Sequence, residues 1–442
     1  MGFCPFSRES LQMKLLPLVV VGFLLTASLS VGAMVPATGD ASQLADGASP
    51  SQVETQTERD DDEVPEGEMT NVLSIPEDDI DRSELRRHHV DLGPAADFDA
   101  AATTDQLTTS TIERELDGAD EAEREQRIDQ ELSEIESTID TLDQRERDAI
   151  RGFNDNQLEP REFITELASI HYAASTLRER AQMLDQQAES VESDVASNER
   201  LTTIEYDLRM RQGPVRAYAA DILRAEQPAD RVSLETGDNS ISLTAIEDDL
   251  YLREVHRPEL RGSGGSELSV DRAEEIVQEQ YPILWNQSSR SNIDGPGSVL
   301  SVELTSGDLQ NGGFQTFIDG DTEAVFREHQ RLPLSLIVAS EQTTKLQAGL
   351  EVTVRQTYAG GPLELTVTDA SSGDPVDATV TIGQNGEESE TIGETNADGE
   401  LWTLTPRGEF TVTVLGDNNA AAFVDITPQD PRTAIDSSRA AS

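Results

Sequence analysis

The chain has 442 residues, carries 33 Lys+Arg against 86 Asp+Glu for a formal charge of −53, and contains one cysteine, Cys4. That balance excludes a basic surface able to neutralise phosphates, so nucleic acid is not an expected partner. A single thiol excludes both an intrachain disulfide and a thiolate metal site. The length allows two or three domains, and an aromatic content of 4% predicts small cores and a sizeable unstructured fraction.

Lys14 precedes the apolar run Leu15–Leu25, and small residues continue to Ala33. A positive residue, an apolar stretch and a small-residue site mark residues 1–33 as a secretory signal peptide, so the exported chain is expected to start at Met34. The alternative is an uncleaved anchor, because Leu15–Ala33 is long enough to span a bilayer; only then is a membrane tether expected. Met13, directly before Lys14, is a second candidate translation start beside Met1. Residues 34–104 are Ala, Ser, Thr, Gly and acid, including Arg59-Asp60-Asp61-Asp62-Glu63, without lasting periodicity. They read as a disordered acidic linker. His88-His89 inside it has no third ligand at useful spacing and reads as a solvated pair.

Residues 105–227 predict a helical hairpin. Ile128, Leu132, Ile135, Ile139 and Leu142 follow a four-three alternation, which resumes after Gly152–Pro160 as Leu167, Ile170, Ala174, Leu177, Ala181, Leu184, Ala188, Val191 and Val195. Stripes of this period are buried against one another, and the alanines spaced by sevens predict a close antiparallel approach. Leu201, Ile204 and Leu208 predict a third helix, and Pro214 opens a fourth. The hairpin reads as a spacer or, alternatively, as an interface for an unknown protein partner or for self-association.

Residues 228–333 read as a small α/β module. Val232 and Leu234, then Ile241 and Leu243, alternate around Gly237-Asp238 as a hairpin, and Leu250–Val255 adds a strand. Gly262-Ser263-Gly264-Gly265-Ser266 is a loop with neither the Walker lysine nor the G-x-S-x-G order. Ser269 caps a helix through Val270, Ala273, Ile276, Val277 and Tyr281, and strands follow at Val299–Leu304 and Phe314–Ile318. The segments Ser269–Val277 and Phe317–Phe326 resemble the PepSY module. That resemblance implies an extracytoplasmic, non-catalytic binding or inhibitory unit of the kind found beside proteases. Asp319, Asp321 and Glu323 offer oxygens for Ca²⁺, but the EF-hand continuation is missing and an ordinary acidic turn is expected. Asn286-Gln-Ser288 is a glycosylation sequon.

In residues 334–428, Leu363, Leu365 and Val367 alternate, as do Ala378, Val380 and Ile382, and Phe410, Val412 and Val414. Turns of Gly, Asp, Asn and Pro separate them, predicting an antiparallel sandwich. Leu365–Ile382, Gly393–Leu401 and Pro406–Val414 resemble the carboxypeptidase regulatory-like, transthyretin-like family, which implies a seven-stranded sandwich without an active site. Trp402 is expected at the core or edge of the sandwich rather than as a sugar-stacking platform. Residues 429–442 read as a disordered tail.

Lys14 and Lys345 are the only lysines, and carboxylates are spread over every segment. This pattern resembles the exported proteins of salt-loving archaea, in whose concentrated salt the Debye length is about 3 Å and carboxylate repulsion is screened.

The expected fold class is multidomain α+β: a long antiparallel α-helical hairpin (coiled coil), a small α/β module and a C-terminal antiparallel β-sandwich. His171, His256 and His329 lie far apart in the chain, and without H-E-x-x-H or a usable cysteine the parts of metal hydrolysis and nucleophilic catalysis are missing. No catalytic, cofactor-binding or metal-ligating residue is assigned, and no cofactor is expected. The expectation is a non-enzymatic, exported cell-envelope protein of a halophile presenting two binding modules. The alternatives are a modulator of a secreted protease and an enzyme with an unrecognised carboxylate site.

Overall fold

A computed structural model describes residues 70–87, 92–188, 198–228, 230–305, 313–384, 389–416 and 420–434. The apolar segment Leu15–Ala33, Met34, the linker up to residue 69, His88-His89, Val191 and Val195, and residues 435–442 lie outside the described residues.

The helical periodicity gives α2 (Glu121–Asn154) and α3 (Pro160–Ala188). Asp120 starts α2 with a capping box: its carboxylate accepts from Glu123 N–H, and the Glu123 carboxylate accepts from Asp120 N–H. Phe153 stacks on Phe163 at 4.4 Å between ring centroids, and Arg145 pairs with Glu166 at 2.7 Å. Partners that move in opposite directions along the chain make the hairpin antiparallel. Its stripes are buried, including Ile128, Leu132, Ile135, Ala174, Ala181 and Leu184.

The stripes are covered by more than each other. α4 (Asn198–Met210) and α5 (Pro214–Leu223) pack on α3, and one continuous core joins the hairpin seam to Val232, Leu234, Ile241, Leu243, Ala245 and Leu252 of a sheet. The expected free-standing spacer is therefore corrected. The helices form a layer on a sheet, and their seam is consumed inside the chain rather than offered to a partner or to a second copy.

The acidic-linker reading is corrected from Thr70 to Thr104. Leu92–Gly118 forms α1, and Arg82–Arg87 forms strand β1. α1 is rich in Ala and Thr, and several threonine hydroxyls, such as Thr104 and Thr108, donate to the carbonyl one turn earlier. Phe98, Ile112 and Leu116 are its buried anchors. Each contributes about 1.5–3 kcal/mol on burial, enough to dock a helix whose own stripe is sparse.

β1 is the edge of an eight-stranded antiparallel sheet in the order β1-β2-β3-β4-β8-β7-β6-β5. Its other members are β2 (Arg231–Thr236), β3 (Ile241–Glu247), β4 (Leu250–His256), β5 (Arg290–Asp294), β6 (Val299–Thr305), β7 (Gly313–Asp319) and β8 (Val325–Pro333). The expected α/β module thus supplies β2 to β8, seven of the eight strands, and β1 from the expected linker completes the edge. Period-two alternation sorts β4 and β8 between two faces. Leu252, Glu254 and His256 stand opposite Arg331, His329 and Arg327 on the helix-layer face. Tyr251, Arg253 and Val255 stand opposite Leu332, Gln330 and Glu328 on the far face. There α6 (Val270–Gln280) and α7 (Pro282–Gln287) cover β5 to β8. Ser269 accepts from Arg272 N–H as the expected cap.

The C-terminal strands are β9 (Glu341–Gln347), β10 (Leu350–Gln356), β11 (Pro362–Asp369), β12 (Thr379–Gln384), β13 (Glu390–Glu394), β14 (Glu400–Leu404), β15 (Phe410–Leu415) and β16 (Ala421–Ile426). They form two four-stranded sheets, β14-β11-β10-β9 and β13-β12-β15-β16, whose inward residues make one core. The sandwich has eight strands rather than seven, because β9 adds an edge to β10. It sits on the far face beside β2 to β4: the Tyr251 and Tyr358 hydroxyls lie 3.1 Å apart, Thr244 donates to Gly360 O at 3.0 Å, and Arg407 pairs with Glu235 at 2.6 Å. Trp402 is half-buried at this junction with Leu404 and Leu85, which meets the expectation of a packing role.

Asn71–Ile75 runs as a strap over the far face, with Leu73 fully buried. Its backbone bridges the two ends of the described chain: Val72 N–H donates to Arg432 O and Ala434 N–H donates to Val72 O, both at 2.9 Å. The tail expected from residue 429 is therefore ordered through Ala434.

Candidate functional site

The helix-layer face carries a buried charged centre that the sequence does not announce. Gly213 precedes α5, and a Cβ there would stand 1.8 Å from Glu254 Oε2, so a side chain at this position would displace the Glu254 carboxylate from the start of α5. Glu254 then accepts from Val215 N–H at 3.2 Å and caps the helix with a charge that suits its positive end. Arg216, one turn in and 1% exposed, donates from Nε to Glu254 Oε1 and from Nη1 to Glu146 Oε2, each at 2.6 Å. Glu146 arrives from α2, and its other oxygen lies 2.8 Å from His256 Nδ1 and 3.6 Å from Arg327 Nη2. His171 accepts from Gly213 N–H at 3.1 Å. The three histidines that lie far apart in sequence thus converge on Arg216 and Arg327.

Burial decides the protonation of this centre. It would raise Glu146, but Arg216, the hydrogen bond from His256 and Arg327 together hold that carboxyl well below the usual range. Burial, aided by Arg327, pushes His256 down to about 4, and burial with Arg216 takes His171 to about 4. His256 is therefore neutral at pH 7. The Glu146 carboxylate makes Nδ1 its protonated nitrogen and leaves Nε2 as an acceptor. Burial also lowers Arg327 to about 10, Glu146 being the first carboxylate to oppose it and Arg216 adding repulsion.

A cavity of about 460 Å³ opens beside the centre, lined by His256, Arg327, Arg211, Arg261 and Arg147 together with Asp143, Glu146, Ile150, Met210 and Phe326. Arg327 is 4% exposed, and its Nε has no partner among the described residues. Arg211 is held by Asp143 at 2.6 Å and by Asp207 O, and Arg261 lies over the Phe326 ring at 4.8 Å. In a chain this acidic, four guanidiniums around one cavity make it a candidate anion pocket.

The acidic turn behaves as expected of a turn. Asp321 accepts from the backbone N–H groups of Gly264, Gly265 and Ser266, and hydrogen bonds at Ser266 and these amides hold it down at about 2. Asp319 accepts from Gly262, Asp321 and Thr322, while Glu323 pairs with Arg272. The glycine-rich loop exists to wrap Asp321: Cβ atoms at Gly262 and Gly264 would lie 2.3 and 2.8 Å from it. Among the described residues no group of three His, Cys, Asp or Glu is placed to hold a metal ion. Asn286 of the sequon is exposed at the end of α7.

Residues 341–423 match the archaeal fibronectin-III type-like domain, a class met as a β-sandwich and consistent with a cell-surface protein. Residues 13–228 match a domain of unknown function, DUF7096, and residues 232–337 match a family of unknown function, DUF7094. Neither the carboxypeptidase regulatory-like nor the PepSY family matches, so the sandwich's likeness is corrected to the fibronectin-III type. No curated protein and no solved structure matches the chain. Among the described residues no helix is long and apolar enough to cross a membrane.

Proposed function

We propose that the chain is an exported, non-enzymatic cell-surface protein of a salt-adapted archaeon, in which the helix layer, the eight-stranded sheet and the sandwich act together as a binding body. The archaeal fibronectin-III type-like match of residues 341–423 carries this reading. The charge of −53 supports the salt environment, since dispersed carboxylates need screening to stay folded. Binding rather than catalysis is favoured because, among the described residues, the Glu146–His256 pair is engaged by Arg216 and Arg327 and no hydroxyl or thiol hydrogen-bonds to it. The test is protease shaving of intact salt-grown cells, followed by mass spectrometry of released peptides and of the mature N-terminus. Release of peptides from the sandwich, with a mature start at Met34, is the expected outcome. Complete protection in intact cells with digestion after lysis would refute surface exposure. Circular dichroism on transfer from molar salt to dilute buffer should show loss of structure, and an unchanged melt would remove the salt-adaptation argument.

A further inference from the structure

The cavity beside Glu146 has two properties that together define a ligand. Arg211 and Arg147 of its wall face Asp143 and Arg261 lies 3.6 Å from Asp319, so the under-compensated cation is Arg327. Glu146 serves Arg216 and His256 at hydrogen-bond distance and leaves Arg327 at 3.6 Å, with the Arg327 Nε unpartnered. A guanidinium whose Nη2 stands 3.6 Å from its carboxylate makes no full hydrogen bond to it, so an anion entering the cavity beside Arg327 gains charge-assisted bonds that Glu146 does not make. Its second property is the histidine. Because the Glu146 carboxylate takes the Nδ1 proton, the remaining nitrogen of His256 is an acceptor on a ring that lines the cavity. An anion with only acceptor oxygens would meet that nitrogen lone pair to lone pair. An anion that also carries an O–H would satisfy both walls.

We propose that this cavity is a binding site for a small oxyanion bearing an adjacent hydroxyl, a hydroxycarboxylate or hydrogen phosphate group, with Arg327 and Arg261 on the negative oxygens and His256 Nε2 accepting from the O–H. Ile150, Met210 and Phe326 supply the apolar part of the wall. At about 460 Å³ the space lies within the range of small-molecule pockets and exceeds what one phosphate ion fills, which favours an organic hydroxy acid over the bare ion. The site goes beyond the surface assignment and does not depend on it.

The test uses the full chain in molar KCl at pH 7.5, with isothermal titration of two matched pairs: lactate against propionate, and inorganic phosphate against sulfate at the same chloride concentration. Within each pair the anions differ in the O–H, so the member carrying it should bind about tenfold tighter, the worth of one well-made buried hydrogen bond. Tighter lactate than phosphate identifies the organic acid, and the reverse identifies the inorganic ion. Arg327→Gln should abolish binding. Arg261→Gln, at a side chain 40% exposed, keeps the test alive if the buried variant does not fold, and should weaken binding about tenfold. His256→Phe should bring each pair to equal affinity. Absence of binding by all four anions to the wild-type chain overturns the proposal, as does wild-type affinity in Arg261→Gln together with equal binding within each pair.

Discussion

Strands β4 and β8 bury charge on both of their faces, and the two faces treat it differently. On the far face Arg253 lies 3.7 Å from Glu328, and the chain's own strap joins them: Leu73 N–H donates to Glu328 at 2.6 Å, and Arg253 Nη2 donates to Leu73 O at 2.7 Å, while Arg253 Nε and Nη1 have no partner among the described residues. Arg257 adds a bond to Ser74 O at 2.9 Å. On the helix-layer face Glu146, Arg216 and Glu254 satisfy one another, while Arg327 and one nitrogen of His256 are left to a cavity. Backbone is a fixed partner that closes with the sheet, so the far face is a clasp, and what sets the helix-layer face apart is that its remainder borders a cavity. A network closed only by side chains can leave a remainder, and that remainder is what a ligand can use.

Acid should separate the two faces most strongly, because the histidines that titrate lie on the helix-layer side. His171 and His256 have folded values near 4 against the ordinary 6.5, and His329 is also held well below it by burial. Between pH 6.5 and 4 the unfolded chain binds more protons, so stability falls as pH falls, by up to about 1.4 kcal/mol per pH unit for each histidine. Glu146, depressed in the fold, adds a loss only below its ordinary 4.5. Urea melts in high salt at pH 7 and pH 5 should show the drop, and His256→Gln should reduce it while leaving the share of His171 and His329. A flat profile in the wild-type chain would mean that the histidines are not buried neutral.

Removing one arginine from each face comes next. Arg216→Met strands two buried carboxylates and should cost at the upper end of about 3–5 kcal/mol, whereas Arg253→Met strands one and should cost at the lower end. Denaturant melts in high salt decide the order, and a larger loss for Arg253 would reverse the comparison.

The smallest effect tests what sets the height of Glu146 over the sheet. Ala181 is 4% exposed in the seam of α3, and Gln182 beside it is exposed. Ala181→Leu should cost about 1–3 kcal/mol by overpacking, and Gln182→Leu should be near neutral. Equal, negligible effects in thermal melts would mean that the seam does not hold the hairpin together.

Local patterns were legible from residues alone wherever one face of an element recurs at a fixed period. The α2 and α3 stripes, the Gly237-Asp238 turn, the Ser269 cap and the alternation of Leu363, Leu365 and Val367 need only neighbours a few residues away to show which side is apolar. The sparse anchors of α1 and the polar strand Arg82–Arg87 carry no such period. Their order comes from partners far along the chain, as when Phe98 meets Tyr172 and Arg82 pairs with Thr236. The candidate site belongs to the same class. Glu146, Arg216, His256 and Arg327 are ordinary surface residue types in an acidic sequence, and each reads locally as solvated. Only the seating of α5 on β4, which the missing side chain of Gly213 permits, takes them out of water together. Once they are buried, low dielectric turns their charges into a network, depresses the histidines and leaves Arg327 facing the cavity.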